Sequence, residues 1–346
     1  MAGRFFLPFA VHLSKATPIL MFRTEVNVPS ANLNLTLQDK VVTIGSCFAE
    51  VIGNKLQQQK VDVLVNPFGT IFNPISVCLL LKAASGQPYN FENHLVEHKG
   101  IWYAYDLHSS LSSPDKQELL QQIQHSLQRT SDYLQQASLL IITLGTAVAY
   151  RLRDTGKVVA NCHKLPGSNF SRVLLSPGEA LPALEDMHGF LKQINPKLKV
   201  LLTVSPVRHI KETIQTNSVS KSVLRVLAHQ LEDAHEDVLY FPAYEIMMDD
   251  LRDYRFYKQD MLHPTELAED YIWEKFVAAF YTSEFRQFMS AWEKIQRAVA
   301  HRPFHQASAA HQAFVRTTLG QLHTLAQKYN IDISAEEQAL QHQLLP

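Results

Sequence analysis

The fold of this chain is decided by the stretch Val41-Val42-Thr43-Ile44-Gly45-Ser46-Cys47-Phe48-Ala49-Glu50. Its first half is a run of mostly β-branched residues that ends at a glycine, which is typical of a buried strand. Apolar side chains then recur at helical spacing: Phe48, Val51, Ile52 and Leu56. The stretch therefore predicts a strand that turns sharply into a helix. Such a turn lies at the carboxyl edge of a sheet, beside unpaired backbone N–H groups.

Four more apolar runs predict buried strands, at residues 61–65, 139–144, 200–204 and 238–241. Helical patterns lie between most of them, notably at residues 115–136 and 177–194. This alternation predicts the α/β class, as a three-layer α/β/α sandwich around about five parallel strands. Because ligands of open α/β sheets bind beyond the carboxyl ends of the strands, we expect the residues after each strand to share one cleft.

Length and charge indicate an ordinary globular protein. The chain has 346 residues, of which 46% are hydrophobic, and this is enough for a substantial core. Its formal net charge is -1. No overall basic field therefore indicates nucleic acid or a membrane surface as a partner.

Cysteine and histidine usage argues against structural bridges and metals. The three cysteines, Cys47, Cys78 and Cys162, are far apart and form no C-x-x-C pair. We predict no disulfide framework and no zinc knuckle, and a reducing, cytoplasmic location fits best. The 16 histidines contain no spacing such as H-E-x-x-H, so neither a catalytic metal nor another cofactor is predicted.

Residues 1–20 contain a short apolar run, residues 5–11, behind Arg4. The run is too short to span a membrane and lies at the lower limit for a signal peptide. Met21 offers a second start shortly before the first strand. We interpret residues 1–20 as an upstream extension, and a secretory signal, which would mean export, is the alternative.

The rest of the chain divides into two parts. Residues 21–282 carry the predicted sheet, whereas from residue 283 the pattern is helical and no strand pattern returns. We predict an α/β domain over 21–282 and a C-terminal helical appendage over 283–346, with a capping box at Ser334-Ala335-Glu336-Glu337. Two segments without clear periodicity, residues 84–114 and 151–176, are predicted to be long loops that wall a cleft.

A second chemically notable stretch is Asp260-Met261-Leu262-His263-Pro264-Thr265. Pro264 is typical of the first turn of a helix, which places Asp260 and His263 just before a predicted helix over residues 267–281. A carboxylate in this position can hold the imidazole through Nδ1, so that Nε2 faces outward as a general base. The motif is common by chance, but here it follows the last predicted strand. Together with the serine and cysteine of the first turn, it predicts a nucleophile and a histidine in one cleft.

These residues resemble the GSCFA family, whose signature Gly-Ser-Cys-Phe-Ala stands at residues 45–49. Further blocks look similar to the family's in the same order: Asn66-Pro67-Phe68-Gly69-Thr70, Thr143-Leu144-Gly145-Thr146-Ala147, Asn161-Cys162-His163-Lys164, Ser205-Pro206-Val207 and Asp260-Met261-Leu262-His263-Pro264. That family is in turn similar to SGNH, or GDSL-type, hydrolases. The resemblance implies that residues 21–282 are a catalytic domain with a flavodoxin-like fold that acts on an ester or acyl group.

The resemblance leaves two candidates for the nucleophile. In the SGNH pattern Gly-Asp-Ser the serine is third, a position that Cys47 occupies here, whereas a shift of one residue restores Ser46. At a helix N-terminus beside a histidine, the Cys47 thiol is expected to have a lowered pKa and to act as a thiolate. Ser46 would instead lose its proton to His263 during the attack. The structural alternatives are a small buried side chain for Cys47 and a helix cap for Ser46.

The resemblance also implies an oxyanion hole, in which each donor typically contributes about 3 kcal/mol of transition-state stabilisation. The implied donors are the nucleophile's own N–H and that of Gly69. The third donor of SGNH enzymes is an asparagine, but Ala147 stands at that position. Asn161 is our candidate replacement, and the backbone N–H of Gly145 or Thr146 is a second one.

Four other residues are candidates for the walls of the cleft. His163 and Lys164 are predicted to line it and to bind a polar or anionic group of the substrate, with a solvated loop as the alternative. Arg208 and His209 follow the fourth predicted strand and point either into the cleft or to the surface.

We therefore expect a hydrolase that acts on ester bonds of a small acylated substrate, such as an acetylated carbohydrate, through a covalent acyl-enzyme. Two alternatives stay open: an acyltransferase on the same scaffold, and a non-catalytic module that binds a glycan or another ligand in the same cleft. Transfer differs from hydrolysis in the exclusion of water, which the sequence does not reveal. The oligomeric state is likewise open.

Overall fold

The computed structural model describes residues 23–30 and 33–345, so the extension predicted over residues 1–20 lies outside the described residues. The strands are β1 (Val41–Gly45), β2 (Val63–Val65), β3 (Leu95–His98), β4 (Ile101–Ala104), β5 (Leu139–Leu144), β6 (Val148–Leu152), β7 (Val158–Val159), β8 (Phe170–Leu174), β9 (Lys199–Val204) and β10 (Val238–Phe241). The α-helices are α1 (Cys47–Gln58), α2 (Pro74–Ala84), α3 (Lys116–Gln136), α4 (Pro177–Ile194), α5 (Ile214–Ala234), α6 (Ala243–Glu245), α7 (Glu266–Phe280), α8 (Ser283–Ala300), α9 (Ala309–Tyr329) and α10 (Ser334–Gln341). Within this described part of the chain, no helix has both the length and the apolar composition that a membrane crossing requires.

The central sheet of the described residues has five parallel strands in the spatial order β2-β1-β5-β9-β10. Counted along the chain, the order of these strands is 2-1-3-4-5, which is the flavodoxin-like arrangement. The order reverses between β1 and β5, which pair in parallel with Gly45 opposite Thr143. Sheets of this kind bind ligands in the crevice at such a reversal. The predicted α/β class and its five strands are confirmed.

Side chains alternate along the strands, so each face of the sheet packs against a different set of helices. Val42 and Ile44 of β1 belong to a core with α2, α3, α4 and α5. Val41 faces the other way, into a core with α1 and α7. Parallel sheets are covered on both faces, which explains why the strands are nearly continuous apolar runs in the sequence. The result is the predicted three-layer sandwich.

Gly45 ends β1 with a φ of +134°, a conformation that residues with a Cβ rarely adopt. A Cβ at this position would lie 2.1 Å from the carbonyl oxygen of Thr143 on the neighbouring strand. Only glycine therefore fits at the point where the backbone leaves the sheet and enters α1.

The two segments predicted to be long loops contain short strands. Within residues 84–114, β3 and β4 form an antiparallel hairpin. Within residues 151–176, β7 and β8 belong to an antiparallel sheet in which both pair with β6. The prediction was wrong because strands of two to five residues that bury only part of their surface leave a weak alternation in the sequence.

The C-terminal region is helical, as predicted, and contributes to the core on the α1 side of the sheet. Trp292 of α8 is fully buried there. Its indole N–H donates to the carbonyl of Gln58 at the end of α1 over 2.8 Å. This contact ties the appendage to the helix that begins at residue 47.

Two predictions about helix starts are wrong in detail. Helix α10 begins at Ser334 itself, without a capping box, because the carboxylate of Asp332 accepts the Ser334 N–H over 2.9 Å. Helix α7 begins at Glu266 with Thr265 as its N-cap, so Pro264 lies just before the helix and not in its first turn. Asp260 and His263 nevertheless lie in the segment directly before α7.

Candidate active site

The turn after Gly45 gives Ser46 and Cys47 different surroundings. Ser46 is the N-cap of α1 and is fully buried, and its Oγ accepts the N–H of Phe48 over 3.3 Å. Its own N–H donates to the carbonyl of Thr143 over 2.9 Å. Cys47 is the first residue of the helix and remains partly exposed. Because Ser46 acts as a cap, Cys47 is the better candidate for the nucleophile.

The pKa of the Cys47 thiol is raised above its usual range, because burial disfavours the thiolate. The positive charge of Lys221 and the N–H groups of Cys47 and Phe48 oppose this shift without cancelling it. The expectation of a lowered pKa is therefore wrong, since desolvation outweighs the helix N-terminus. The side chain is a thiol at neutral pH, so an attack by Cys47 needs a base that removes its proton.

Lys221 of α5 is a site residue that the sequence analysis missed. Its side chain is fully buried, and its ammonium donates to the carbonyl oxygens of Gly145 and Ser205, each over 2.7 Å. Those carbonyls follow β5 and β9, so Lys221 joins the carboxyl ends of adjacent strands. The sequence did contain a signal, because Lys221 shares the buried face of α5 with Leu224 and Leu231. A lysine is almost never fully buried without such partners.

The buried Lys221 should make the free energy of unfolding depend on pH. Burial lowers the pKa of Lys221 from 10.5 to about 7, and the nearby Cys47 opposes the shift. Between these values an unfolded Lys221 binds a proton that the folded one does not, so its contribution to the free energy of unfolding should rise from pH 7 toward pH 10. The raised pKa of the Cys47 thiol acts in the opposite direction. Urea unfolding at several pH values measures this slope. We expect the slope of unfolding free energy against pH to be less positive in Lys221→Met than in the wild type, and equal slopes would contradict the assignment.

Asp260 and His263 form a hydrogen-bonded pair. Asp260 Oδ2 lies 2.6 Å from His263 Nδ1, and Asp260 Oδ1 accepts the N–H groups of His263 and Leu262 over 3.0 and 2.8 Å. Those two N–H groups are the main reason why the pKa of Asp260 lies well below its usual range. His263 Nε2 has no hydrogen-bond partner among the described residues, and 43% of the side chain is exposed. The carboxylate orients the imidazole and leaves Nε2 open.

His209, in the segment between β9 and α5, is a neutral imidazole at this site. Its ring meets the ring of Phe72 edge-on at 5.0 Å, and its buried Nε2 lacks a partner within the described residues. Burial lowers the pKa of His209 to about 4, and the charges of Lys221 and His263 act in the same direction. His209 therefore lies within electrostatic reach of both Lys221 and His263.

The turn that carries His263 lies against this same segment. The N–H of Arg208 donates to the carbonyl of Leu262 over 3.2 Å, and the guanidinium stacks on Tyr257 at 3.9 Å. Arg208 thus supports the turn. Among the described residues, no direct hydrogen bond joins His263 to Cys47, although both lie at the carboxyl edge of the sheet.

Three amides predicted to bind an oxyanion are engaged elsewhere. The N–H groups of Gly145 and Thr146 donate to the carbonyl of Phe72 over 2.9 and 3.1 Å. The Gly69 N–H donates to the carbonyl of Asn66 over 2.8 Å. None of these three N–H groups is free to donate to a developing oxyanion in this conformation, so these predictions fail for the structure described.

The amide of Thr70 is a better placed donor. It has no acceptor within residues 23–30 and 33–345, and the following amide, that of Ile71, donates to the carbonyl of Gly45 over 2.8 Å. This bond holds the segment beside the turn that carries Cys47. The N–H groups of Thr70 and Cys47 are therefore our candidate oxyanion donors.

His163 has a structural role, which corrects its predicted place in the cleft wall. It is buried, and its Nδ1 and Nε2 lie 3.0 Å from Ser109 Oγ and 2.8 Å from the Ala104 carbonyl. Its ring also stacks on Tyr103 at 4.7 Å. Both ring nitrogens thus hold the loop against β4, and burial lowers the pKa of His163.

A cavity of about 500 Å³ opens at this edge of the sheet, beside Thr146 and His209. Asn161 and Lys164 lie on its wall. The Asn161 side chain is held in place, since its Oδ1 accepts the His163 N–H over 2.9 Å and its Nδ2 donates to Ser109 Oγ over 3.2 Å. Much of the remaining wall is apolar and includes Val148, Ala149, Val159, Leu165 and Phe170.

The strand-to-helix turn, the later blocks and the Asp-x-x-His turn have the order expected of one family. The model of the GSCFA family matches residues 40–276. The chain belongs to the GSCFA family. The model described as the GSCFA domain protein C-terminal domain matches residues 292–346, a range that contains the second half of α8 together with α9 and α10. No curated protein matches this GSCFA chain in sequence.

Several solved structures overlap with this GSCFA protein at low similarity. An acetyl esterase, solved as an S10A mutant with acetate, is 9% identical with a TM-score of 0.35, covering 75% of this chain and 100% of that chain. A family 3 carbohydrate esterase from Clostridium thermocellum is 12% identical with a TM-score of 0.31, covering 70% and 94%. A carbohydrate esterase family 3 protein from Talaromyces cellulolyticus is 10% identical with a TM-score of 0.33, covering 74% and 99%. At these TM-scores the overlaps carry no argument about function.

Proposed function

We propose that this GSCFA protein hydrolyses ester bonds of small acylated molecules through an acyl-enzyme on Cys47. One observation carries the proposal: the Asp260–His263 pair, with its open Nε2, stands at the same sheet edge as the helix N-terminus that presents Cys47. A nucleophile, a positioned base and an orienting carboxylate are the groups that acyl transfer requires.

The reaction begins with removal of the Cys47 proton by His263 Nε2. The sulfur attacks the carbonyl carbon of the ester, and the C–O bond to the alcohol breaks as His263 returns the proton to the leaving oxygen. Water then attacks the thioester, with His263 again accepting a proton, and the acid leaves as the thiol re-forms. Asp260 stabilises the imidazolium in both halves. The raised pKa of the Cys47 thiol makes this base necessary.

The surrounding charges support the developing oxyanion. The N–H groups of Cys47 and Thr70 are the proposed donors. Lys221, in its protonated form, adds a positive charge within electrostatic reach of Cys47. The buried Nε2 of the neutral His209 lacks a partner among the described residues, so this atom can form a hydrogen bond with the substrate.

The cavity beside Thr146 and His209 is the proposed substrate site, and it adjoins the reacting groups rather than containing them, since Cys47 and His263 are not part of its wall. Its volume of about 500 Å³ and its mainly apolar wall suit a small acyl group and part of the molecule that carries it. Lys164 and Lys211 add polar groups to the wall, which suits a carbohydrate or another hydroxylated acceptor. An acyltransferase would use the same groups with an alcohol in place of water.

A non-catalytic binding module is the second candidate function. Two observations favour it: the N–H groups of Gly145, Thr146 and Gly69 are already engaged, and no hydrogen bond links His263 to Cys47 in the described residues. Such a module would bind an acylated ligand in the cavity without turnover.

The variants His263→Ala and Asp260→Asn distinguish ester hydrolysis from non-catalytic binding. With p-nitrophenyl acetate as substrate, we expect kcat/KM to fall about 10²–10⁴-fold in His263→Ala, because the general base is lost. Asp260→Asn should lower kcat/KM as well, by up to about 10⁴-fold, because the imidazole is no longer held in the correct tautomer. His323→Ala, which removes an exposed histidine paired with Glu337, is the matched control and should keep full activity. Wild-type activity no higher than that of His263→Ala would leave only the binding module.

A further inference from the structure

A second cluster of titratable side chains lies far from the candidate active site. It consists of His188 and Glu185 on α4, His235 at the end of α5, and Asp237 just before β10. Asp237 precedes the first residue of a strand of the parallel sheet, so the cluster stands at the amino edge. The candidate active site lies at the opposite, carboxyl edge.

The potential ligand atoms of this cluster converge. One atom each from His188, His235 and Asp237 lie within 4.8 Å of one another. His188 Nε2 is 3.0 Å from Asp237 Oδ2, and the two imidazole rings lie 3.9 Å apart at 30°. Ligands of a tetrahedral zinc ion at about 2.0–2.1 Å are roughly 3.3 Å apart, so small side-chain rotations bring the three atoms onto one ion.

Glu185 supplies a fourth ligand atom, a carboxylate oxygen, on the solvent side. Its Oε2 lies 2.6 Å from His235 Nε2. The inner pair, His188 and Asp237, has exposures of 8% and 18%, whereas His235 and Glu185 have exposures of 27% and 38%. The cluster is therefore buried on the side of His188 and Asp237 and open to solvent on the side of His235 and Glu185, where an ion can enter.

We propose that His188, His235 and Asp237, with Glu185 as the fourth ligand, bind a divalent transition metal ion, for which zinc has the matching ligand preference. The ion would link α4 to the connection between α5 and β10 and would take no part in the acyl chemistry. This departs from the sequence prediction of no metal, which rested on the lack of C-x-x-C and H-E-x-x-H spacings. The ligands come from two segments about 50 residues apart, so no short motif shows them.

Lys192 provides a discriminating test. Its ammonium lies 3.0 Å from the same Asp237 Oδ2 and donates to the carbonyl of Leu198 over 2.9 Å. An ammonium at this oxygen competes with a metal ion for its negative charge. Removal of the charge in Lys192→Met should therefore strengthen metal binding.

Zinc titration of the full chain, after treatment with a chelator, tests the site by competition with a chromophoric zinc chelator. We expect a single tight equivalent in the wild type, weakening by about tenfold to a hundredfold or more in His188→Ala and His235→Gln. Lys192→Met should bind at least as tightly as the wild type. His323→Ala, which breaks a comparable surface histidine–carboxylate pair, should leave the affinity unchanged.

Two further readouts do not depend on activity. Zinc should raise the midpoint of thermal unfolding of the wild type and not that of His235→Gln, because only the folded state holds the ligands together. Cobalt(II) should give the visible absorption of a tetrahedral complex. If the wild type binds no zinc tightly, or if His235→Gln binds it equally well, the cluster is a network of ion pairs and the proposal fails.

Discussion

Replacement of Cys47 by alanine is expected to abolish esterase turnover, with a fall in kcat of about 10³–10⁶-fold. The physical reason is that no other group at the turn replaces the nucleophile: Ser46 is buried and its Oγ already caps α1. Ser46→Ala removes that cap and should cost about 1 kcal/mol of stability while leaving kcat within a fewfold range. Hydrolysis of p-nitrophenyl acetate and urea unfolding measure the two effects.

Covalent trapping makes the same test independent of rates. An acyl-enzyme captured by rapid acid quench and mapped by peptide mass spectrometry should carry the acyl group on Cys47. Cys47→Ser is a useful intermediate variant, since it retains a hydroxyl that His263 can deprotonate and should keep a small residual activity. A label on Ser46, together with an inactive Ser46→Ala, would reverse the assignment of the nucleophile.

Gly45→Ala is expected to prevent stable folding. The new Cβ would lie 2.1 Å from the Thr143 carbonyl oxygen, at a φ of +134°, and the obstacle is the backbone of the adjacent central strand. The clash can be relieved only if β1 separates from β5. The free energy of unfolding should therefore fall by more than about 4 kcal/mol, a large share of the stability of a typical domain. Circular dichroism and urea unfolding would register this loss.

Gly189→Ala is the matched control for that experiment. Gly189 lies inside α4, and a Cβ there would meet no atom within 4 Å. Alanine is the better helix former, so this variant should gain about 0.5–1 kcal/mol. If Gly45→Ala unfolds with nearly the wild-type midpoint, β1 does not end in the strained turn described above.

The main helices and strands of the sheet could be predicted because each is defined by local patterning. The apolar run at residues 41–44 and the helical spacing after residue 47 gave β1 and α1, and the parallel sheet followed from the alternation of such elements. The short strands β3, β4, β6, β7 and β8 were missed, since each is stabilised by cross-strand pairing that leaves little trace in one segment.

The candidate site, like the fold, could be predicted only in part from the sequence. The chain itself determined that Cys47 follows a strand and that Asp260 stands three residues before His263, and the short-range geometry of that turn brings the carboxylate to Nδ1. Only the tertiary structure decided that Lys221 reaches the carbonyls after β5 and β9, and that the Cys47 thiol has a raised pKa. Burial and hydrogen-bond partners come from distant segments, and a single sequence records spacing along the chain, not which segments remove water from which groups.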